Sequence, residues 1–323
     1  MAIADLEKSI LKTCAFFDLF DYPPTLLEIQ KWLLDDEGKI NRAVALPEVY
    51  HCLRQSEYLK EKLSSQNGFH FLAGREQICA TRLQRYLITH QKYRLARKGL
   101  AALARLPFIK SIFLCNNFGY NNLHRQSDID LFIIASPQRL FLTRLLATLA
   151  ITCLGLRPDK QSQSDRLCLS FYTSEKYLDF SGLKIAEPDL YFSYWLSNLL
   201  PVFDEGMASK LSSANPWLKK ILQNYSPLVP TPQRMLKLGR LSHWAKHLAA
   251  KLLGGRWGDR WEAWAKNIQL DKISAVKKEL AASGDGRVII SDQIIKLHEN
   301  DRRLDYLRRW QEKTNSLLAD VQA

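Results

Sequence analysis

Two aspartates separated by one residue stand at the start of an apolar stretch in the middle of the chain. Asp128 and Asp130 lead into the apolar run 131–134, which is typical of a buried strand. Aspartate is depleted in strands, because its short charged side chain packs poorly on a pleated surface. Alternation along a strand places both carboxylates on one face, with their Cα atoms about 6.6 Å apart. The spacing therefore indicates a ligand shared by the two carboxylates.

The chemistry of two neighbouring carboxylates favours a hard divalent cation. Mg²⁺ is normally held by one or two carboxylates together with substrate phosphates and water, and paired cations about 3.5–4 Å apart promote displacement at phosphorus. A solvated strand edge that happens to carry two acids is the alternative. A second apolar stretch, residues 111–115, precedes the pair across a polar loop rich in Asn, Gly and Ser. Two central strands joined by such a loop favour the metal site.

The order strand, turn, polar loop and then Ser-Asp-Ile-Asp-Leu over residues 127–131 resembles the polymerase-beta-like nucleotidyltransferase superfamily. Members of that superfamily carry a Gly-Ser turn before an Asp-x-Asp at the head of a strand. Residues 1–210 also resemble a bacterial group in which a winged-helix-like segment precedes such a domain. The stretches 17–23, 139–145 and 167–172 carry this narrower resemblance.

The resemblance implies transfer of a nucleoside monophosphate from an NTP to a hydroxyl acceptor, with Mg²⁺ as cofactor and pyrophosphate as the leaving group. It makes Asp128 and Asp130 the catalytic metal ligands and adds Ser127 to the nucleotide-binding residues. Arg144 follows in a helix opened by Pro137, where it could contact phosphate or form an ordinary surface salt bridge. The implied partners are an NTP and a nucleic-acid or protein acceptor.

The chain departs from the family pattern at two places. Asn116 and Asn117 stand where the family has Gly-Ser. Asparagine tolerates a left-handed backbone, and its amide can donate to a phosphate oxygen, so both are assigned to nucleotide binding. The strand predicted over 167–172, where many relatives place a third carboxylate, contains no acid, although Asp165 and Glu175 flank it. A catalytically degraded adaptor or antitoxin-like binding module with the same fold is therefore the alternative to an enzyme.

Composition limits the class of protein. The chain has 323 residues, is 46% hydrophobic and carries six scattered cysteines without a Cys-x-x-Cys pair. This usage predicts reduced core thiols in a cytoplasmic protein rather than disulfides or a zinc site. The first eight residues lack the basic start and apolar core of a signal peptide. The apolar run 145–156 is too short to span a bilayer, so no membrane partner is expected.

Local patterns divide the chain into four parts of an α/β (α+β) protein. Three helical segments and two extended runs, 59–63 and 69–72, joined in a hairpin at Asn67-Gly68, predict a winged-helix-like domain over residues 1–75. Three further parts are predicted: a basic connecting helix with a solvated face over 76–105, a nucleotidyltransferase-like domain with a small mixed sheet over 106–210, and a basic helical domain over 211–323.

The last part carries most of the net charge. Residues 211–323 contain 20 Lys and Arg against 11 Asp and Glu, which gives +9 of the total of +13 and favours a polyanionic partner. Trp257, Trp261 and Trp264 recur at helical spacing beside basic residues. Such a stripe is more typical of a packing seam to the middle domain, and stacking on nucleic-acid bases is the alternative. A helix is also expected to carry His298, Asp301 and Arg302.

Overall fold

The computed structural model describes residues 4–158, 163–229, 231–284 and 286–319. Within these ranges the protein is of mixed α/β architecture, with helices on both faces of a six-stranded sheet and a separate two-stranded hairpin. Both central strands predicted from their apolar runs are present, and residues 111–115 and 131–134 are buried throughout. Among the described residues, no helix combines the length and apolar character needed to cross a bilayer.

The N-terminal part contains the helices and the hairpin that the sequence predicts. Its elements are α1 Asp5–Asp18, α2 Leu26–Lys31, α3 Leu46–Gln55, α4 Glu57–Lys62, β1 Leu63–Gln66 and β2 Phe69–Leu72. A buried cluster of aliphatic side chains from all six elements forms their common core. Residues 59–62, predicted as extended, are helical, because the Ser56 hydroxyl accepts the Leu59 N–H and caps a separate helix there.

Helix α5, Gln77–Arg105, spans the connecting segment. The basic residues of this helix are expected to face solvent, but Lys92 is buried. The Lys92 ammonium donates to the carbonyl oxygens of Arg125 and Ser127 at 2.8 Å and pairs with the Asp165 carboxylate at 2.5 Å. A buried ammonium needs such partners. Lys92 therefore fixes the loop that leads into the aspartate pair.

The central sheet brings the starts of two parallel strands together. Its strands are β3 Ile109–Leu114, β4 Ile129–Ala135, β5 Leu167–Ser174, β6 Leu200–Asp204, β7 Val288–Ile290 and β8 Ile294–Leu297. Their order is β6-β3-β4-β5-β8-β7. The neighbours β4 and β5 run parallel, and the other four pairs are antiparallel. The amino-terminal ends of β4 and β5 therefore meet at one edge of the sheet.

Helices cover the two faces of the sheet, and the faces bury different side chains. The helices that follow α5 are α6 Leu140–Cys153, α7 Leu190–Ser197, α8 Met207–Ala214 and α9 Leu218–Ile221. Leu131 of β4 points into a core with α5 and α6, whereas Phe132 points into a core with α7 and α8. Asp128 and Asp130 share the parity of Phe132, so they lie on the face that α7 covers.

The sequence predicts a helical domain over residues 211–323, but this part of the chain also contains two strands. The remaining helices are α10 Arg240–Leu252, α11 Gly255–Lys272, α12 Ala275–Ser283 and α13 Arg303–Ala319. Strands β7 and β8 extend the central sheet beside β5, and α13 packs against α1 and α7. Both strands are short runs rich in Val and Ile, which fit a pleated surface better than a helix.

The tryptophan stripe of α11 is not the packing seam that its spacing predicts. Trp257, Trp261 and Trp264 are 69, 47 and 48% exposed. The side of α11 about a quarter turn from the tryptophans is buried instead, through Gly258 and Ala265, and α11 packs against α6. Small side chains allow this close approach, so the large rings remain outside.

The turn after β3 requires glycine at one position. A Cβ built on Gly119 would lie 2.2 Å from the Asn198 carbonyl oxygen, closer than any nonbonded contact. We expect Gly119→Ala to lower the free energy of unfolding by about 2 kcal/mol, since the turn or the end of α7 must move. Urea denaturation measures this change. Gly182→Ala, with no heavy atom within 4 Å of the added Cβ, is the matched control, and equal losses in both variants would contradict the close approach.

Candidate metal centre

The aspartate pair lies at the amino-terminal edge of the parallel strands. Asp128 directly precedes β4, and Asp130 is the second residue of that strand. Cys168, the second residue of β5, is the ladder neighbour of Asp130. Ligand atoms of these three side chains all lie within 4.8 Å of one another. The two carboxylates therefore converge on one place, and a thiol joins them there.

Asn116 connects the turn after β3 to this cluster. Its φ of 54° lies in the left-handed region that asparagine tolerates. Asn116 is also the first residue of a one-turn 3₁₀ helix, Asn116–Phe118. The Asn116 Nδ2 donates to Asp130 Oδ2 at 2.7 Å. The side chain therefore orients one of the carboxylates, and its amide is already used by Asp130.

Asn117 and Ser127 have contacts that belong to the surrounding loops. The Asn117 carbonyl oxygen accepts the Asn122 N–H at 2.8 Å, and its side chain lines a small aromatic cavity next to α1. The Ser127 hydroxyl accepts the His124 N–H at 3.1 Å. Both residues are close to the aspartates along the chain. In this structure they shape the turn and the loop on either side of the site.

Arg144 does not reach the site. It lies in α6, which covers the face of the sheet opposite to Asp130. Its Nη1 donates to Gln269 Oε1 at 2.6 Å, and burial lowers its pKa. The structure therefore does not bring Arg144 together with the aspartates, because the sheet separates its guanidinium from the carboxylates.

Burial and repulsion raise the pKa values of the two carboxyls. The pKa of Asp128 is raised to about 6, first by burial and then by the Asp130 charge. Burial also raises the pKa of Asp130, against the hydrogen bond from Asn116. Burial and Asp130 hold the pKa of the Cys168 thiol far above its ordinary range, so the thiol stays protonated at neutral pH. A divalent cation between the carboxylates would relieve their repulsion.

No acid of the described residues joins the pair from β5. Asp165 is paired with Lys92, and Glu175 follows the opposite end of β5. The position that faces Asp130 across the ladder is taken by Cys168. The sequence pattern treats this cysteine as a core residue, and its role as a neighbour of the aspartates follows from the parallel register of β4 and β5.

His298 is a second residue whose place the local pattern does not predict. It follows β8 rather than lying on a helix with Asp301 and Arg302. Its Nε2 is 3.0 Å from Ser170 Oγ on β5. Burial, with a further contribution from Lys296, lowers the pKa of His298 to about 4, so the imidazole is neutral at physiological pH. The pairing of β8 with β5 brings this ring to the site.

A cavity of about 160 Å³ adjoins the cluster. Its lining combines aromatic rings with charged groups: Phe171, Tyr191, Phe192, Trp195, Tyr306, Lys296, Asp301, Arg302 and Arg303. Asn116 and His298 also line it, which places the cavity beside the aspartates. Pockets that enclose small ligands usually measure about 300–1,000 Å³. The cavity is therefore smaller than a pocket that encloses a whole small ligand.

No protein-family model, curated protein or solved structure matches the chain. What the site can do chemically rests on its own donors, which are two carboxylates, a protonated thiol and a neutral imidazole. This donor set fits Mg²⁺, which takes one or two protein carboxylates and completes its shell with phosphate and water oxygens. A thiolate would favour a softer metal, but the raised pKa of Cys168 opposes its deprotonation.

Asp128→Asn should stabilise the metal-free protein at neutral pH. Because the folded-state pKa of Asp128 is raised to about 6, the stability that its protonated form gives below about pH 4 is lost as pH rises through 6. Asparagine removes this loss, so we expect a gain of about 1–2 kcal/mol at pH 7, allowing for partial exposure. Urea unfolding in EDTA across this range measures it. If the variant were less stable than wild type both at pH 4 and at pH 7, this would contradict the repulsion between the Asp128 and Asp130 carboxylates.

Proposed function

We propose that the protein is a nucleotidyltransferase-like enzyme that moves a nucleoside monophosphate from an NTP to a hydroxyl group. Asp128 and Asp130 would hold Mg²⁺. The observation that carries the proposal is the convergence of these two carboxylates, with raised pKa values, where parallel strands begin. Two repelling acids held together destabilise a protein that has no ligand for them, and perturbed acids in a cleft favour a functional site.

The chain's own side chains prepare the site in several ways. Asn116 fixes the Asp130 carboxylate through its Nδ2, and Lys92 holds the loop before Asp128. The neutral His298 ring bonds to Ser170 and is a poor general base, because a group with a pKa of about 4 takes up protons weakly at neutral pH. When bound, Mg²⁺ would neutralise phosphate charge as it develops during transfer.

The adjoining cavity supports an NTP as the substrate. Tyr191 and Tyr306 stack with their ring centroids 5.2 Å apart, which leaves an aromatic wall suited to a base. Lys296 and Arg302, which pair with Asp301 and Asp305, add positive charge to the same lining, suited to phosphates. Because Asn116 and His298 of the site also line this cavity, a nucleotide whose base packs against its rings would have its phosphates near the metal ligands.

The domain arrangement belongs to the same proposal. Helices α1 to α4 with the β1–β2 hairpin support a winged-helix-like module over residues 1–75. Its third helix carries one acid, Glu48, and one base, Arg54. Because this helix has no surplus of positive charge, contact with a protein acceptor is favoured over DNA recognition. Residues 106–210, completed by β7 and β8, would form the nucleotidyltransferase-like part. Six free cysteines support a reducing compartment such as the cytoplasm.

A nucleotide-binding adaptor without catalysis is the second candidate. Cys168 lies across from Asp130 on β5, the strand assigned to the place where many relatives of the resembled family carry a third acid. A protonated thiol cannot activate an attacking hydroxyl as a carboxylate does. In this alternative the aspartates and the cavity bind the nucleotide, and the reaction does not follow.

Labelled nucleotides distinguish the two candidates. The protein is incubated with Mg²⁺ and with an NTP labelled at either the α- or the γ-phosphate, in the presence of total RNA and of protein. We expect label from the α-phosphate, and not from the γ-phosphate, in an acceptor, with pyrophosphate released. Nucleotide binding without pyrophosphate would favour the adaptor, and the absence of both would contradict both candidates.

A further inference from the structure

Helix α10 exposes one apolar face. Four of its large apolar side chains are between 39 and 78% exposed: Leu241, Trp244, Leu248 and Leu252. Their spacing of three or four residues places them on one side of the helix. Lys246 lies on the other side, where its buried ammonium donates to the Ile109 carbonyl oxygen at 2.6 Å and pairs with Glu205 at 2.8 Å. The inner side of α10 is therefore anchored, and the apolar face looks outward.

Helix α11, which begins after a two-residue connection from α10, also has a buried inner side and an exposed apolar face. Trp257, Trp261 and Trp264 form its outer face, as described above. On the inner side, the Glu262 carboxylate accepts the N–H groups of Phe141 and Leu142 at the start of α6. Two consecutive helices are thus fixed by polar contacts on one side and present four tryptophans and three leucines on the other. We call these two outer faces together the Trp-Leu surface.

The two helices that carry the Trp-Leu surface are basic. Residues 237–272 contain eight Lys and Arg against three Asp and Glu. Two of the three acids are used internally, because Asp259 pairs with Arg139 and Glu262 binds the start of α6. Within the described part of the chain, five exposed cations of these helices have no ion pair: Arg240, Lys251, Arg256, Arg260 and Lys272. A partner of this surface must therefore be both apolar and anionic.

We propose that the Trp-Leu surface binds the surface of an anionic membrane. Its tryptophan and leucine side chains would enter the boundary between lipid headgroups and acyl chains, and the flanking cations would contact acidic headgroups. Tryptophan and leucine beside Lys and Arg are the composition of helices that lie in this boundary, and juxtaposed cations add an attraction to anionic lipid. This binding does not depend on Asp128 or Asp130, and it requires no helix that spans the bilayer.

Two other partners fit the surface less well. A single-stranded nucleic acid uses aromatic rings for stacking and cations for phosphates, but it has no use for the exposed leucines Leu241, Leu248 and Leu252. A second copy of the chain, paired through a two-fold axis, would place the same patch on both sides of the interface. The cations that surround one patch would then face those of the other, and their repulsion would oppose the dimer.

Cosedimentation of the full chain with lipid vesicles tests the proposal. We expect the protein to sediment with vesicles of phosphatidylcholine and phosphatidylserine in equal parts, and at least about tenfold less with phosphatidylcholine alone. The combined variant Trp244→Ser, Trp257→Ser and Trp261→Ser should lose about tenfold or more in partitioning. Arg256→Glu with Arg260→Glu should weaken binding to the anionic vesicles by a similar factor and reduce its salt dependence.

A matched variant controls for general loss of exposed apolar surface. Leu27→Ser with Leu304→Ser removes side chains that are 63 and 58% exposed on α2 and α13 and should sediment like wild type. Circular dichroism and thermal unfolding verify that all variants fold. No sedimentation with either vesicle, or equal sedimentation of the tryptophan variant and wild type, would overturn the proposal. RNA binding or a dimer that the tryptophan variant alone loses, without vesicle binding, would also overturn it and identify the other partner.

Discussion

Asp130→Asn should reduce Mg²⁺-dependent pyrophosphate release by about a hundred- to a thousandfold. The substitution removes the charge that would hold the cation but keeps the shape of the side chain. The amide oxygen of the substituted side chain can still accept the hydrogen bond that Asn116 Nδ2 donates to Asp130, so the local structure should persist. The initial rate of pyrophosphate release at saturating NTP measures the effect.

The control for this variant is a neutralised aspartate away from the site. Asp271→Asn changes an exposed residue of α11 and should release pyrophosphate at the wild-type rate. Circular dichroism should show that both variants are folded. Full activity in a folded Asp130→Asn protein would exclude this carboxylate from the chemistry, and an equal loss in both variants would indicate an indirect effect of charge.

Arg303→Met should lower the free energy of unfolding by about 3–5 kcal/mol. Arg303 is 6% exposed, and its Nη1 lies 2.8 Å from Asp189 Oδ2, while its Nη2 lies 2.8 Å from Asp301 Oδ2. Methionine would leave the Asp189 carboxylate, which is 2% exposed, without a counter-charge. A buried unpaired charge costs much more than an exposed one. Because Arg303 begins α13 and lines the cavity, this loss also bears on the site.

Urea denaturation of Arg303→Met and of a neighbouring control measures this cost. Arg302→Met removes the preceding guanidinium, which is half exposed and pairs with Asp305 at 2.9 Å. Exposed pairs are worth about 0–1 kcal/mol, so the control should remain close to wild type. Similar small losses in both variants would show that water reaches Asp189 when Arg303 is absent.

Local patterns in the sequence predict the elements that carry the aspartates. The apolar runs around them identify β3 and β4, because burial of a central strand leaves a continuous apolar signature. The spacing of Asp128 and Asp130 also predicts that they share one face, since strand alternation is a local property. The residue type at 116 also permits the left-handed backbone observed there, which asparagine tolerates better than most residues. These parts of the site required no knowledge of the tertiary fold.

Other parts of the site depend on contacts between distant segments. Arg144 follows β4 closely in sequence, but the side of the sheet that α6 covers depends on where β5 pairs. His298 reaches the site because β8 pairs with β5, although more than a hundred residues separate these strands. Neither relation leaves a local signal.

The tryptophans of α11 illustrate a different limit. A period of 3.6 residues shows that Trp257, Trp261 and Trp264 share a face, but it does not show whether that face is buried. The small residues Gly258 and Ala265, on the neighbouring side of the helix, were the available signal. They permit a close approach to α6, which large side chains on that side would prevent.

Calorimetric titration of the wild-type protein with an NTP, once with Mg²⁺ and once with EDTA, tests the metal site most directly. We predict binding in Mg²⁺ that weakens at least about tenfold in EDTA and by a similar factor in Asp130→Asn, because the cation joins the phosphates to the carboxylates. Equal affinity in Mg²⁺ and in EDTA, or for wild type and Asp130→Asn, would contradict the assignment of Asp128 and Asp130 as metal ligands.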